Sequence, residues 1–205
     1  MKPAAGGRRP PAEVRIIGGQ FKRSKLPVAD KPGLRPTPDR VRETLFNWLG
    51  QNLSGWRCLD AFAGSGALGF EAASRGAASV VLLERDGELA RQLLACQQRL
   101  KAQMLRVESV DALAWMRRAA PASWELVFID PPFDAGLFEP ALRAAAPLLV
   151  PEGLMYLEAP EPWNEERLAP LGLRLRKHGR AGAVHYHLLQ RDNLGAGAPD
   201  PLPHG

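Results

Sequence analysis

The stretch LDAFAGSGALG, residues 59–69, sets Gly64, Gly66 and Gly69 at GxGxxG spacing, behind one apolar run and ahead of another. Glycines at this spacing make the tight turn from a strand into a helix whose N-terminus faces a ligand. Working outward, the pattern alternates strand and helix. Strands are expected near 57–62, 79–84, 105–107, 126–130 and 154–158, and helices near 67–74, 87–101, 111–118 and 137–149. Runs such as VVLLE and ELVFID are apolar almost throughout, as suits a parallel sheet covered on both faces. Residues 174–178 and 184–190 lie too close for a crossover helix and should pair antiparallel through a turn at 179–182. The fold class is therefore α/β, a doubly wound, Rossmann-like sheet with a C-terminal antiparallel hairpin.

Ligands bind such sheets beyond the carboxyl ends of the strands. Glu84 ends the second strand 20 positions after Gly64, where a ribose-binding acid belongs. Taken literally, this is also the fingerprint of a dinucleotide-binding oxidoreductase, and the glycines alone do not decide. Asp60 weighs against a dinucleotide, because a carboxylate at the strand end would repel a pyrophosphate. S-adenosylmethionine carries an ammonium, a sulfonium and one carboxylate, and is compatible with that acid. Asp111 then either holds the adenine amine or only caps the helix that starts there.

The sharper signal is IDPPF, residues 129–133. Two prolines cannot continue a central strand, so the chain turns out at the sheet's carboxyl edge. Asp130 and the Pro131 carbonyl are two acceptors there, Pro132 holds the turn, and Phe133 offers a flat face. An exocyclic NH₂ on a planar base needs such a set: acceptors to orient a poor nucleophile, and a ring on which to stack. His185 and His187 lack ligand-like neighbours and read as sheet histidines. Cys58 and Cys96 read as buried small hydrophobes. Trp115, Trp124 and Trp163 read as packing residues, and Glu71 as a satisfied helix residue, the alternative being that it helps order the loop.

Charge is concentrated at one end. Residues 1–50 hold 11 Lys or Arg against 4 Asp or Glu, and the other 155 hold 16 against 18. A basic arm on a near-neutral body fits a polyanion gripped beside the site, a solubilising tail being the bland alternative. Residues 13–28 read as a hairpin around Gly18 and Gly19, with Lys22, Arg23 and Lys25 on its second strand. Residues 35–53 read as a helix capped by Thr37, with Pro38 at its first position and Arg40 and Arg42 partly facing solvent. Lys22, Arg23, Arg35, Arg40 and Arg42 are thus candidate phosphate contacts. The organisation expected is a disordered tail at 1–12, a basic hairpin and helix at 13–53, the catalytic domain at 54–191 and a second disordered tail at 192–205. No apolar run reaches a membrane span or a signal peptide, no spacing suits a metal, and a cytosolic monomer is expected.

The segments RIIGGQFKRSKL, RPTPDRVRETLFNWL, LDAFAGSGALGFEAASRGA and FIDPPF together resemble the RsmD-type methyltransferases, over about residues 13–191. The resemblance implies methyl transfer from S-adenosylmethionine to the exocyclic N2 of a guanine in 16S ribosomal RNA, with small-subunit RNA or particle as partner and no metal. It makes Asp60, Phe62, Ala63, Gly64, Ser65, Gly66, Glu84, Arg85, Asp111 and Ala112 cofactor positions, and Asp130, Pro131, Pro132 and Phe133 the catalytic loop. Arg35 and Thr37 match its RPT element. The hairpin here reads FKRSKLPV where the family commonly has a glycine and a further arginine. The rivals are a DNA adenine-N6 methyltransferase, the oxidoreductase, and a non-enzymatic ribosome-assembly factor.

Overall fold

Seven strands form one sheet in the order β5-β4-β3-β6-β7-β9-β8, seen in a computed structural model that describes residues 13–31, 34, 36–133 and 135–192. The elements run β1 (Glu13–Arg15), β2 (Lys25–Pro27), α1 (Asp39–Leu49), β3 (Arg57–Asp60), α2 (Ala67–Ser74), β4 (Ser79–Leu83), α3 (Gly87–Leu100) and β5 (Leu105–Glu108). They continue with α4 (Ala112–Met116), β6 (Trp124–Ile129), α5 (Phe138–Ala145), β7 (Leu149–Ala159), α6 (Glu165–Leu168), β8 (Leu173–Ala181) and β9 (Val184–Arg191). Strands β3 to β7 pair in parallel, while β9 runs antiparallel between β7 and β8. The expected C-terminal hairpin is present, and its turn comes at Gly182, with φ +62°, later than the spacing implied.

The apolar runs have the cause expected of them. Cys58, Phe128 and Tyr156 face one core with α1, α2 and α3. Leu59, Val127, Ile129 and Leu157 face a second core with α4 and α5. Both faces of each central strand are therefore dry, and each such side chain contributes about 1.5–3 kcal/mol by leaving water.

The N-terminal segment differs from expectation in three respects. Strands β1 and β2 pair antiparallel, but the bend between them spans residues 16–24, so Lys22 and Arg23 lie in turns and only Lys25 is on β2. Helix α1 starts at Asp39 with Pro38 at its cap and no capping side chain. Thr37 does not cap because its hydroxyl is bonded elsewhere, as described below. Arg42 is fully buried rather than at the surface. Val14, Ile16, Leu26, Val41, Leu45 and Phe46 join the same core as β3 and β6, so the segment is packed into the body. Of the tails expected to be disordered, 1–12 and 192–205, all but Asp192 lie outside the described residues, as does Arg35. No helix among the described residues is long and apolar enough to cross a membrane.

Candidate functional site

The reversal of strand order between β3 and its neighbours β4 and β6 opens a crevice at their carboxyl ends. The glycine turn enters it from β3. Gly64 (φ +51°) and Gly66 (φ +79°) take left-handed backbone that side chains resist. Gly69 is needed for a different reason: a Cβ there would sit 2.1 Å from Leu82 and 3.2 Å from the Asp60 carboxylate. That contact is used, because the Gly69 N–H donates to Asp60 Oδ2 at 3.0 Å. Asp60 is buried, and burial pushes its carboxyl up to about 7, with the Gly69 N–H opposing and the Glu84 charge adding.

Glu84 leaves β4 and closes the turn from the other side. Its Oε2 accepts from Gly64 N–H at 2.9 Å and its Oε1 from Asp86 N–H at 2.8 Å. Each oxygen keeps a lone pair for a ligand hydroxyl. Phe62 is half-buried, Ala63 and Ser65 are buried, and Arg85 is exposed beside Glu84. Asp111 is exposed and caps α4 through Ala114 N–H at 2.8 Å, with Ala112 buried behind it. Asp86, which sequence reasoning missed, caps α3 and pairs with Lys31 at 2.6 Å. That pairing holds its carboxyl down at about 2.

β6 ends at Ile129, and the DPPF turn follows. Pro131 is buried, whereas Pro132 and Phe133 face solvent, Phe133 with 42% exposure and its ring 5.9 Å from that of Phe138. Asp130 accepts no hydrogen bond from any described residue. Burial, then the charges of Glu158 and Asp60, hold its carboxyl well above the usual carboxylate range. Glu158 lies on the neighbouring strand: Ile129 pairs with Leu157, so Asp130 and Glu158 follow side by side. Its Oε1 accepts from the Thr37 hydroxyl at 2.6 Å and the Tyr156 hydroxyl at 2.9 Å. Thr37 is thus tied to an acid on β7 that sequence reasoning did not single out.

The basic candidates among the described residues do not converge on the crevice. Lys22 and Arg23 are exposed on the bend that packs on Ser74, at the far end of α2 from the glycine turn. Arg40 is exposed on α1. Arg42 is withdrawn from the candidate RNA contacts: its guanidinium pairs with Glu71 at 3.1 Å and Asp39 at 2.6 Å and donates to the Thr37 carbonyl at 3.2 Å. Glu71 is the hub of this region. It accepts from Ile17 N–H at 2.9 Å, Gly18 N–H at 2.8 Å, Arg42 and Arg75. It is thus a satisfied residue of α2, and two of its donors moor the IIGG bend to that helix. His187 is buried and accepts from Trp163 N–H at 3.0 Å, while the His178 and His185 rings stack at 5.1 Å, as sheet histidines. Cys58 and Cys96 are free and buried.

Strand order, glycine turn and edge acids together define a Rossmann-like fold of the methyltransferase class. A family profile described as "Conserved hypothetical protein 95" matches residues 14–190. "Ribosomal RNA small subunit methyltransferase D" of Escherichia coli (strain K12) is 44% identical over 191 residues, covering 92% of this chain and 95% of that protein. The protein of that name from Haemophilus influenzae is 42% identical, covering 87% and 94%. The solved structure of yhhF from Escherichia coli superposes with a TM-score of 0.76 at 43% identity, covering 88% of this chain and 99% of that one. The chain belongs to this family, the RsmD family.

Proposed function

We propose that the protein transfers a methyl group from S-adenosylmethionine to the exocyclic N2 of a guanine in 16S ribosomal RNA. The observation that carries this reading is the half-buried Asp130 carboxylate at the DPPF turn, one strand away from the glycine turn and without a hydrogen-bond donor among the described residues. When bound, S-adenosylmethionine supplies the methyl as a sulfonium substituent: the nitrogen–carbon bond forms as the carbon–sulfur bond breaks, and sulfur keeps the electron pair. The residues present suit such a group. Gly64, Ser65 and Gly66 provide a turn without side-chain obstruction, Glu84 faces a ribose, and Asp60 adds negative charge where a cation belongs. Asp111 and Ala112 lie beyond β5, where an adenine edge would rest. A dinucleotide would bring its pyrophosphate against the Asp60 carboxylate at the end of β3.

Asp130 and the Pro131 carbonyl orient the amine as acceptors, and Phe133 stacks on the base. Positioning and fixed charge then provide most of the acceleration. Asp130 is also placed to take the proton that the amine loses, its raised basicity matching that task. The target base must be exposed or swung out to reach the turn. Lys22, Arg23 and Arg40, solvent-facing in the segment 13–53, supply phosphate contacts that fix register without reading sequence. The reaction belongs to the cytosol, where ribosomal subunits are built. Labelled S-adenosylmethionine incubated with small-subunit particles lacking the modification, and separately with DNA, tests the reading. Label should enter the RNA only; label in DNA, or in neither, would defeat it.

A further inference from the structure

The crevice carries more acceptor capacity than one amine needs. Neither Asp130 oxygen accepts a hydrogen bond from a described residue, and the same is true of Glu158 Oε2. Glu158 is only 5% exposed, and Thr37 and Tyr156 fix its other oxygen from behind. Carboxylate oxygens not spent on protein donors are open to a ligand that brings its own. No described Lys or Arg pairs with either carboxylate. Two carboxylates on adjacent strands stand roughly 4.8 Å apart at the backbone, within reach of one base edge.

We infer that Glu158 is a specificity-determining residue, accepting the guanine N1–H while Asp130 accepts from N2. This rests on the proposed guanine-N2 activity and deepens it. Among the four RNA bases only guanine presents a ring N–H directly beside an exocyclic NH₂. Adenine and cytosine set a ring acceptor beside their amine, and uracil flanks its N–H with carbonyls. A pair of carboxylates therefore accepts two donors from guanine. From adenine it accepts one, and it forces a ring lone pair against a buried charge. Sites built around such buried polar pairing reject the mismatched analogue by large factors, because a partner is left unpaired. Thr37 becomes a positioning residue: its hydroxyl turns Oε1 inward and leaves Oε2 for the base.

The test compares guanine with 2-aminopurine at the methylated position of a small-subunit RNA fragment. 2-Aminopurine keeps the exocyclic amine but has a lone pair at N1. Glu158→Gln should reverse the local preference. The Thr37 and Tyr156 hydroxyls hold the amide oxygen, so the amide NH₂ faces N1, opposing guanine and accepting 2-aminopurine. The ratio of kcat/KM for guanine over 2-aminopurine should shrink at least ten-fold in Glu158→Gln relative to the unmodified protein. Both rates come from one preparation, so the folded fraction cancels. Where the variant turns over too slowly, the corresponding affinity ratio is read with S-adenosylhomocysteine present, from the fluorescence of the 2-aminopurine RNA and its displacement by the guanine RNA. A shrinkage below ten-fold by whichever readout applies would overturn the role of Glu158. Failure of the wild-type protein to methylate guanine N2 at all would instead overturn the proposed function, so the two failures are distinct.

Discussion

Replacing Arg42 by leucine separates a structural cation from an RNA-gripping one. The guanidinium is fully buried and bridges Glu71, Asp39 and the Thr37 carbonyl. Removing one partner of a buried pair costs about 3–5 kcal/mol, because the other charge stays behind. Here Glu71 keeps Arg75 at 2.9 Å and two backbone N–H groups, which places the loss near the lower end. The Thr37 carbonyl loses a donor, about 1 kcal/mol, and the apolar leucine recovers a similar amount. The net expectation is about 3 kcal/mol, or roughly 6–12 °C in Tm for a chain of this size. Thermal and urea unfolding read it, alongside RNA affinity measured well below the transition. Arg40→Leu, on the exposed side, should stay within about 0.5 kcal/mol. An Arg42→Leu protein with unchanged Tm but weakened RNA binding would refute this placement and restore the surface reading.

Three further outcomes follow from the site. Glu84→Ala removes charge-assisted acceptors and loosens Gly64, so cofactor affinity should fall by about 1–3 kcal/mol, roughly 5- to 150-fold by calorimetry; unchanged affinity would exclude Glu84 from the cofactor site. Neutralising Lys22 and Arg23 together should weaken RNA binding and lower its log–log salt slope by about two, with cofactor binding untouched, and superimposable slopes would show the bend does not meet RNA. Asp60, raised to about 7 in the folded protein against about 3.9 unfolded, gives stability that is complete below pH 4 and lost as pH rises through 7. Asp60→Asn without cofactor should therefore lose about 2–4 kcal/mol less than wild type between pH 4 and 8 in urea titrations, and parallel curves would contradict the burial argument.

Much of the fold was legible because it rests on local patterns. Continuous apolar runs marked β3, β4 and β6, and the doubled proline after Asp130 could only end a strand. The glycine spacing located the turn, down to the start of α2 at Ala67. Long-range pairing was not legible. Glu71 sits in ALGFEAAS, a helix whose residues are all buried, and that all-round apolarity was the available sign that its one acid must be paired from outside. The same holds for Arg42, whose partner is 29 positions away, and for Thr37, which meets Glu158 at 121 positions' distance instead of capping α1. Glu158 itself looked like the polar end of an ordinary strand. Only the β6–β7 register sets it beside Asp130.

The most direct test of the account is the identity of the modified nucleoside. Small-subunit RNA methylated by the wild-type protein and by Asp130→Ala is digested to nucleosides and resolved by mass spectrometry. The wild type should give N2-methylguanosine, and Asp130→Ala should lose two or more orders of magnitude at unchanged cofactor affinity. A methyl group on another base, or undiminished N2-methylguanosine from Asp130→Ala, would contradict it.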